Sequence, residues 1–411
     1  MKKKIFVRGP VLSQSGYGEQ SRFALRALRS REDLFDIYIQ PINWGQTGWV
    51  WEENEFREWM DSRILETQLL LQQNQLSPDV SLQITIPNEF KKMCPVNIGY
   101  TAGIETTKVA PQWLQSGNEM DKILVVSNHA KNSYVNTVAK ARNNQTGETL
   151  DYKLQTPTEV VWENTPLAKE AKEIPGFNVK NDFNFLCVSQ MGPRKNIFNT
   201  IKWFVEEFID QEVGLIIKTN KRGNSRIDLE HTEASLKAIL DNYPDRKCSV
   251  SLLHGDLSLE QMRGLYEHDK VKAIVNISHG EGFGLPLFEA ARYCLPVITV
   301  GWSGQTDFLS DKFLKVKHEL KNVQPEAVWA GVIEADSQWA YADQGSFKMA
   351  LRMMYKNYDQ FVEQAKELQD HVETNFNDEV LYSNFVNHFI EEEIDIDDWL
   401  SELEGDLIEH Q

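Results

Sequence analysis

Two glutamates separated by seven residues flank a glycine-rich stretch in the second half of the chain. Glu281 comes directly before Gly282-Phe283-Gly284, and Glu289 follows Leu-Pro-Leu-Phe. Glycines let backbone N–H groups approach a ligand closely, and N–H groups at the start of a helix form a natural anion site. The spacing allows both carboxylates to face one crevice. Taken singly, such a loop is also compatible with a tight strand-to-helix turn, and Glu289 with a solvated helix face.

Two adjacent cations, Arg194 and Lys195, follow Gly192 in a second loop. Paired cations and glycine N–H groups can stabilise a leaving group that gains negative charge as its bond breaks, without the help of a metal. The simpler alternative is a solvated pair of side chains. The residue types therefore predict a site for an anion, with two acids that orient what is attached to it.

Each loop requires a strand before it and a helix after it. Residues 273–277 are a short β-branched run, Pro286 suits the first turn of a helix, and residues 295–300 are again apolar. This order predicts a parallel βαβ unit. The cation loop follows a predicted strand at 183–189. Further helices are predicted over residues 60–80 and 345–371, and a polar loop over residues 220–232.

The amino-terminal segment has the same alternation. Residues 4–8 predict a strand and residues 19–29 a helix, and the loop between them contains Gly16 and Gly18. That loop could face a substrate across a cleft, or it could be an ordinary connection. Arginines at helical spacing predict either a solvated basic face or a guide for an anionic acceptor: Arg22, Arg26 and Arg29.

Four tryptophans within sixteen residues follow: Trp44, Trp49, Trp51 and Trp59. Glycines interrupt them, so they do not fit one face of a helix. Aromatic faces can stack on sugar rings or on unpaired bases. The alternative is that they fill a small local core.

Composition predicts a two-domain protein of ordinary globular character. The chain has 411 residues, of which 41% are hydrophobic and 25% charged, and a net charge of −18. Residues 371–411 hold 13 acidic and no basic side chains, so the rest carries a net charge of only −5. The overall acidity therefore does not exclude a polyanionic partner.

Targeting and metal signals are absent from the sequence. Residues 5–7 are too short for a signal-peptide core, and no run reaches the ~18 apolar residues of a membrane span. The four cysteines are scattered without a metal-like pair, which predicts a reduced, cytoplasmic protein.

The order of these motifs resembles family 4 of the retaining, nucleotide-sugar-dependent glycosyltransferases, which have the GT-B fold and a Glu-x7-Glu motif. The resemblance implies two Rossmann-like α/β domains facing a central cleft, with a C-terminal helix that crosses back to the first. It divides the chain into an acceptor domain at 1–170, a donor domain at 171–375, and a crossover helix with an acidic tail at 376–411.

The resemblance also implies roles for single residues. Glu289 would hold the ribose hydroxyls, Glu281 the sugar, and Arg194 with Lys195 would neutralise the leaving diphosphate. The other donor contacts implied are Gly282, Phe283, Gly284, Lys218, Thr219, Gly16 and Gly18. Glu105 and His129 would lie near the cleft, where Trp44 and Trp49 could contact the acceptor. The donor would be a UDP- or GDP-linked sugar, and neither a metal nor a resident cofactor would be required.

The acceptor is open at this stage. A glycan, a lipid-linked sugar, a protein or a small molecule would fit, and a hydroxymethylated DNA base is a less favoured alternative. Residues 1–180 hold 21 basic and 21 acidic side chains, which permits DNA without favouring it. Two other classes remain, a non-catalytic nucleotide-sugar or glycan-binding protein and a sugar-phosphate epimerase of similar fold. The oligomeric state is open, and the acidic run 391–398 could be a solvated tail or could bind a basic partner.

Overall fold

The computed structural model describes residues 2–142 and 147–390. The first half contains, in chain order, β1 (Lys3–Gly9), α1 (Gly16–Arg29), β2 (Phe35–Pro41), α2 (Glu55–Gln72), β3 (Val80–Ile84), β4 (Val96–Thr101), α3 (Pro111–Gly117), β5 (Lys122–Val125), α4 (Asn128–Asn136), β6 (Ala139–Arg142), β7 (Thr149–Tyr152) and β8 (Thr158–Val160). Six of these strands form a parallel sheet in the order β2-β1-β3-β4-β5-β8, and β6 and β7 form an antiparallel hairpin.

The second half repeats this architecture. It contains β9 (Asn184–Val188), α5 (Ile197–Glu207), β10 (Gly214–Lys218), α6 (Arg226–Leu240), β11 (Ser249–Leu253), α7 (Leu259–Tyr266), β12 (Val271–Asn276), α8 (Leu285–Arg292), β13 (Val297–Val300), α9 (Thr306–Leu309), β14 (Leu314–Val316), β15 (His318–Asn322), β16 (Gln338–Ala342), α10 (Gln344–Lys356), α11 (Tyr358–Asn375) and α12 (Asp378–Val386). The parallel order is β11-β10-β9-β12-β13-β14, and β15 pairs with β16 in an antiparallel hairpin.

Both sheets are covered by helices, which explains how their strands are buried. Every residue of Val80–Ile84 is buried, including the polar Ser81 and Gln83. A parallel sheet with helices on both sides buries both faces of its central strands. The fold predicted from the motif resemblance, two Rossmann-like layers in one chain, is confirmed.

Several predicted boundaries were wrong. The helix predicted at 60–80 is α2, which begins at Glu55 because Asn54 caps it through the N–H of Arg57. The polar loop predicted at 220–232 ends at Ser225, which caps α6. The helix predicted at 345–371 is two helices that meet at Asn357. Polar capping residues set the starts of α2 and α6, and a hydrophobic pattern does not locate them.

The last described helix returns to the first sheet, as the resemblance implied. Its Phe385 and Tyr382 rings lie 5.7 and 5.8 Å from the ring of Phe23 on α1. Asn164 Nδ2, in the loop after β8, donates to Asp378 Oδ1 at 2.7 Å. The acidic run 391–398 lies outside the described residues. Within residues 2–142 and 147–390, no helix combines the length and the apolar character that a membrane crossing needs.

Candidate active site

A buried carboxylate, Glu281, is the centre of a charged cluster at the carboxyl ends of β9 and β12. Lys195 Nζ lies 2.7 and 2.6 Å from its two oxygens, and Arg194 Nη1 lies 3.1 Å from Oε2. Asn276 Nδ2 and Ser278 Oγ each donate to Oε1 at 2.9 Å. Burial alone would favour the neutral acid, but Lys195 and Arg194 outweigh it and lower the pKa of Glu281 to about 2. The side chain is 6% exposed and remains charged.

Two loops on neighbouring strands bring these residues together. β9 and β12 are adjacent and parallel, so the loops that follow them meet at one edge of the sheet. The N–H of His279 donates to Arg194 O at 2.8 Å, and Asn196 Nδ2 donates to Ile277 O at 3.1 Å. Arg194 and Lys195 form a short 3₁₀ turn, Pro193–Lys195, before α5 begins. The sequence motifs are therefore joined by backbone contacts as well as by charge.

Arg194 also reaches the first sheet. Its Nη1 donates to Gly280 O at 2.6 Å and lies 3.2 Å from an oxygen of Glu105, which follows β4. All of its hydrogen bonds within the described part of the chain use Nη1, so Nε and Nη2 keep three N–H groups without a protein acceptor. The guanidinium can bind an anion without giving up either carboxylate.

The glycine loop is closely packed against the first sheet. A Cβ atom on Gly282 would lie 2.8 Å from Ala102 O, and one on Gly304 would lie 1.8 Å from Gly282 O. Gly284 has a φ of 100° where α8 begins. Across the described ranges, the N–H groups of Gly282 and Phe283 have no hydrogen-bond acceptor. The Phe283 ring, by contrast, is buried against Phe288 and Phe308, so only its backbone can contact a donor.

Glu289 lies on α8 and is held by Tyr266, whose hydroxyl donates to Oε2 at 2.8 Å. Burial raises the pKa of Glu289 to about 7, while the Tyr266 hydrogen bond and the positive charge of Lys218 lower it. Lys218 Nζ donates to Gly255 O at 2.6 Å, and burial lowers its pKa. Thr219 is buried beside it. Glu289 is thus poised to change charge near neutral pH.

The predicted glycine loop of the first sheet is partly helix. Ser15 caps α1 by accepting the N–H of Gly18, so Gly16 and Gly18 lie in its first turn. A Cβ on Gly18 would lie 2.0 Å from Ser13 O, whereas one on Gly16 would meet nothing within 4 Å. Gly18 therefore permits a close chain crossing, and Gly16 is free to approach a ligand.

The basic stripe predicted on α1 is not a solvated face. Arg22 is buried and bonds Glu19 through Nε at 2.9 Å and Nη2 at 2.7 Å, and Arg26 Nη2 bonds the same acid at 2.8 Å. Only Arg29 turns outward, to Glu55. The solvated face was predicted without considering Glu19, which lies one turn before Arg22 on the same helix. Its carboxylate supplies the negative charge that allows Arg22 and Arg26 to be buried.

Trp59 is half-buried against the hydrophobic core and stacks on Phe56, but the other three tryptophans do not form the local core that was considered for them. Trp49 and Trp51 are 63% and 86% exposed. Trp44 is half-buried, and its ring centroid lies 4.4 Å from that of Tyr17. These side chains line an open surface at the carboxyl ends of β1 and β2.

His129 lies near the cleft, as expected. Burial lowers its pKa to about 4, so the ring is neutral at pH 7. It packs edge-on against Trp302 at 4.7 Å, and Nε2 lies 3.5 Å from Ser133 Oγ. Contact of His129 with an acceptor stays a prediction.

Four contributors to the site were not predicted. Asn276 and Ser278 bind Glu281, Ser303 Oγ accepts the Glu281 N–H at 2.9 Å, and Tyr266 binds Glu289. Asn276 and Ser278 could have been predicted, because they are polar residues at the end of an apolar strand, β12. Nothing in the sequence indicates Tyr266, because its contact depends on how α7 packs on α8. The described ranges contain no group of three or more His, Cys, Asp or Glu side chains able to hold a metal ion.

The chain matches one family model, described as Family 4 Glycosyltransferase in conflict systems, over residues 221–379. The matched segment includes Glu281, Glu289 and the loops that follow β11 and β12. A search of curated proteins finds no match.

Many solved structures share the fold, and three of them serve as examples. Anabaena HepE, in complex with UDP and glucose, is 10% identical with a TM-score of 0.56, and the alignment covers 94% of this chain and 99% of that one. Sucrose-phosphate synthase from Thermosynechococcus elongatus is 13% identical with a TM-score of 0.60, covering 94% and 98%. An E. coli trehalose-6-phosphate structure bound with UDP-2-fluoro glucose is 10% identical with a TM-score of 0.54, covering 94% and 98%. At these identities the likeness shows the fold alone.

The match over residues 221–379 and the fold along nearly the whole chain confirm the resemblance to family 4-type glycosyltransferases of the GT-B fold.

Proposed function

We propose that this protein transfers a sugar from a nucleoside-diphosphate sugar to a hydroxyl group of an acceptor. The observation that carries the proposal is the geometry of Arg194 and Lys195. Glu281 holds both cations in place, yet three N–H groups of Arg194 and the amides of Gly282 and Phe283 have no protein acceptor in the described ranges. Oriented donors of this kind bind the charge that develops on a leaving group.

In the proposed reaction the bond between the anomeric carbon and the diphosphate oxygen breaks, and a bond from that carbon to the acceptor oxygen forms. The diphosphate leaves with the electron pair, and the proton of the acceptor hydroxyl passes to a diphosphate oxygen. Arg194 and Lys195 stabilise the departing charge, so the two cations serve in place of a metal ion. Retention of the anomeric configuration is part of the proposal through the family resemblance.

Glu289 is assigned to the ribose. A carboxylate one turn into α8 can accept hydrogen bonds from two neighbouring hydroxyls, and Tyr266 fixes its orientation. Lys218 ends β10 and Thr219 follows it, and both are assigned to the phosphates or the nucleoside. Gly16, in the first turn of α1, is assigned to the donor as well. The UDP and the UDP-2-fluoro glucose in two of the similar structures support a UDP-linked donor, and a GDP-linked donor is the alternative.

In the proposal, each of the two sheets belongs to a domain that binds one of the two substrates. Residues 1–170 would bind the acceptor, residues 171–375 the donor, and residues 376–411 would contain the crossover helix and the tail. All four cysteines are free, which supports a reducing compartment such as the cytoplasm.

Donor consumption tests the proposal. The protein is incubated with UDP-glucose, UDP-galactose, UDP-N-acetylglucosamine and GDP-mannose, and the released nucleotide is separated by anion-exchange chromatography. An enzyme hydrolyses its donor slowly even without an acceptor, whereas a binding protein of the same fold releases nothing. An epimerase would isomerise free sugar without nucleotide release. Absence of release with all donors, at protein concentrations that bind them, would contradict the proposal.

A further inference from the structure

A cavity of about 200 Å³ opens at the carboxyl ends of β1 and β2. None of its lining residues carries a charge: Leu12, Ser13, Pro41, Ile42, Asn43, Trp44, Gly45, Thr47 and Trp49. Pockets for drug-sized ligands measure about 300–1,000 Å³. The cavity is therefore of a size for one ring rather than for an extended ligand.

Aromatic rings and hydroxyl groups form the walls of this cavity. Trp44 is braced by the Tyr17 ring, and Trp49 pairs with Ser13 through the backbone. Ser13 Oγ lies 2.7 Å from Thr47 Oγ1. An apolar ring face beside neutral hydrogen-bonding groups matches a sugar, whose C–H face is apolar and whose edge carries hydroxyls.

The cavity is connected to the charged cluster. The Tyr17 hydroxyl lies 2.8 Å from Thr101 Oγ1, and the N–H of Gly103 donates to that same oxygen at 3.2 Å. Glu105, which binds Arg194, follows two residues later in this loop. On the other side, a Cβ on Gly48 would lie 3.7 Å from Asp256 Oδ2 on the second sheet. A ligand in the cavity would therefore lie in the cleft between the two sheets.

The surface next to the cavity is acidic. An adjoining cavity of about 260 Å³ is lined by Trp51, Glu52, Glu53, Arg57, Glu58 and Asp61. Its single cation is engaged, because Arg57 Nε bonds Asp61 at 2.9 Å and Nη1 bonds Val50 O at 2.7 Å. Four acids and one base repel a phosphate backbone, whereas proteins that bind DNA supply lysines and arginines to it.

We propose that the cavity between Trp44 and Trp49 is the acceptor subsite and that it binds one uncharged sugar ring bearing the hydroxyl to be glycosylated. This rests on the proposed glycosyl transfer and gives its acceptor class. A DNA base is disfavoured because the flanking helix start, residues 52–61, presents the wrong charge to the phosphates on either side of a base.

The test offers two classes of acceptor to the full chain. Methyl glycosides of glucose, galactose, mannose and N-acetylglucosamine form one panel, and a duplex oligonucleotide containing 5-hydroxymethylcytosine is the competitor. Each is incubated with the donor that the protein hydrolyses, and products are identified by mass spectrometry. Saturation-transfer NMR with the same methyl glycosides reports binding directly. The expected result is transfer to at least one methyl glycoside and none to the duplex.

Trp49→Ala and Trp44→Ala are compared with Trp329→Ala, which removes a tryptophan of similar exposure, 61%, from the other half of the chain. Loss of one stacking face should raise the acceptor KM about tenfold. The ratio of donor hydrolysis to transfer should rise with it. Trp49→Phe, which keeps a ring, should restore most of the affinity, and Trp329→Ala should behave as the wild type.

Three results would overturn the inference. They are transfer to the duplex in preference to sugars, no binding of any methyl glycoside, or an unchanged acceptor KM in Trp49→Ala. Each of these differs from failure of the proposed function, in which the wild type hydrolyses no donor at all.

Discussion

Nη1 of Arg194 lies 3.2 Å from a carboxylate oxygen of Glu105, so a cation of the second sheet is paired with an acid of the first. The same atom lies 3.1 Å from Glu281 Oε2. A diphosphate that accepts hydrogen bonds from Nε and Nη2 leaves these two contacts in place. Arg194 therefore connects the proposed donor site to the opposite wall of the cleft, where the acceptor is proposed to bind.

Arg194→Lys should lower kcat for transfer by about 10²–10³, because an ammonium group cannot reproduce the guanidinium fork or reach both carboxylates and the phosphates. Steady-state kinetics with the preferred donor measure the effect. Arg226→Lys is the matched control, since Arg226 is exposed and its one acidic partner in the described part of the chain is Glu230 on its own helix. Equal kinetics for both variants would show that Arg194 does not contact the leaving group.

Donor affinity should depend on pH through Glu289. Its pKa is raised to about 7, so the carboxyl is mostly protonated at pH 6 and mostly ionised at pH 8. Ribose hydroxyls donate more strongly to the ionised form, so the Kd for UDP should fall several-fold from pH 6 to pH 8. Glu289→Gln should bind more weakly and lose this dependence. Calorimetric titration at three pH values measures both, and an unaltered pH profile in the variant would contradict the assignment to the ribose.

Gly282→Ala should destabilise the contact between the two sheets, because the new methyl group would lie 2.8 Å from the backbone oxygen of Ala102. Gly192→Ala is the control, since a Cβ there meets nothing within 4 Å and its φ of −170° suits any residue. The melting temperature of Gly282→Ala should fall by several degrees and transfer activity should drop, while Gly192→Ala should keep its melting temperature. A normal melting temperature in Gly282→Ala would show that the loop can move away.

Two buried acids near α12 should respond in opposite ways to amide substitution. Burial opposes ionisation of Glu19, but Arg22 and Arg26 lower its pKa to about 2, below the usual 4.5. Its contribution to stability is present above about pH 4.5 and is lost as the pH falls toward 2. Glu19→Gln should cost roughly 3–5 kcal/mol of unfolding free energy at pH 7, because two arginines lose their countercharge.

The pKa of Glu163 is shifted in the direction opposite to that of Glu19. Burial raises its pKa well above 4.5, and its Oε2 has no partner among the described residues. The folded state therefore favours the protonated acid, and stability falls as the pH rises above 4.5. Glu163→Gln should remove that fall and leave the protein at least as stable at pH 8. The unfolding free energies of both variants are measured by guanidinium denaturation at pH 5 and pH 8. A large loss of stability in Glu163→Gln would contradict the prediction for Glu163.

The strand-loop-helix unit around Glu281 could be predicted because each step has a local cause. β-branched residues form β12, the glycines permit the close turn, and Pro286 starts α8. Helix starts at Glu55 and Arg226 were missed because a single polar side chain caps each of them. The local sequence pattern is sufficient to predict the order of strands and helices in a fold this regular. The exact ends of the helices depend on individual hydrogen bonds.

The contacts of the site are less visible in the sequence. Lys195 and Glu281 are 86 residues apart, and only the adjacency of β9 and β12 brings them together. Motif resemblance identified both residues, but not that they bind each other. Arg22 is buried because Glu19 and the carbonyl oxygens of Val11 and Ser13 satisfy its guanidinium, whereas Trp49 remains 63% exposed. Such outcomes depend on tertiary packing, which residue types alone do not specify.

We propose that Lys195, Arg194 and the glycine loop bind a diphosphate. Calorimetric titration of UDP and of GDP into the wild type, Lys195→Ala and Lys237→Ala tests this binding, because Lys237 is an exposed lysine whose one acidic partner among the described residues is Asp241. We expect micromolar to millimolar binding of at least one nucleotide to the wild type and to Lys237→Ala, and at least about tenfold weaker binding to Lys195→Ala. Equal affinity in all three proteins, or binding of neither nucleotide to the wild type, would contradict it.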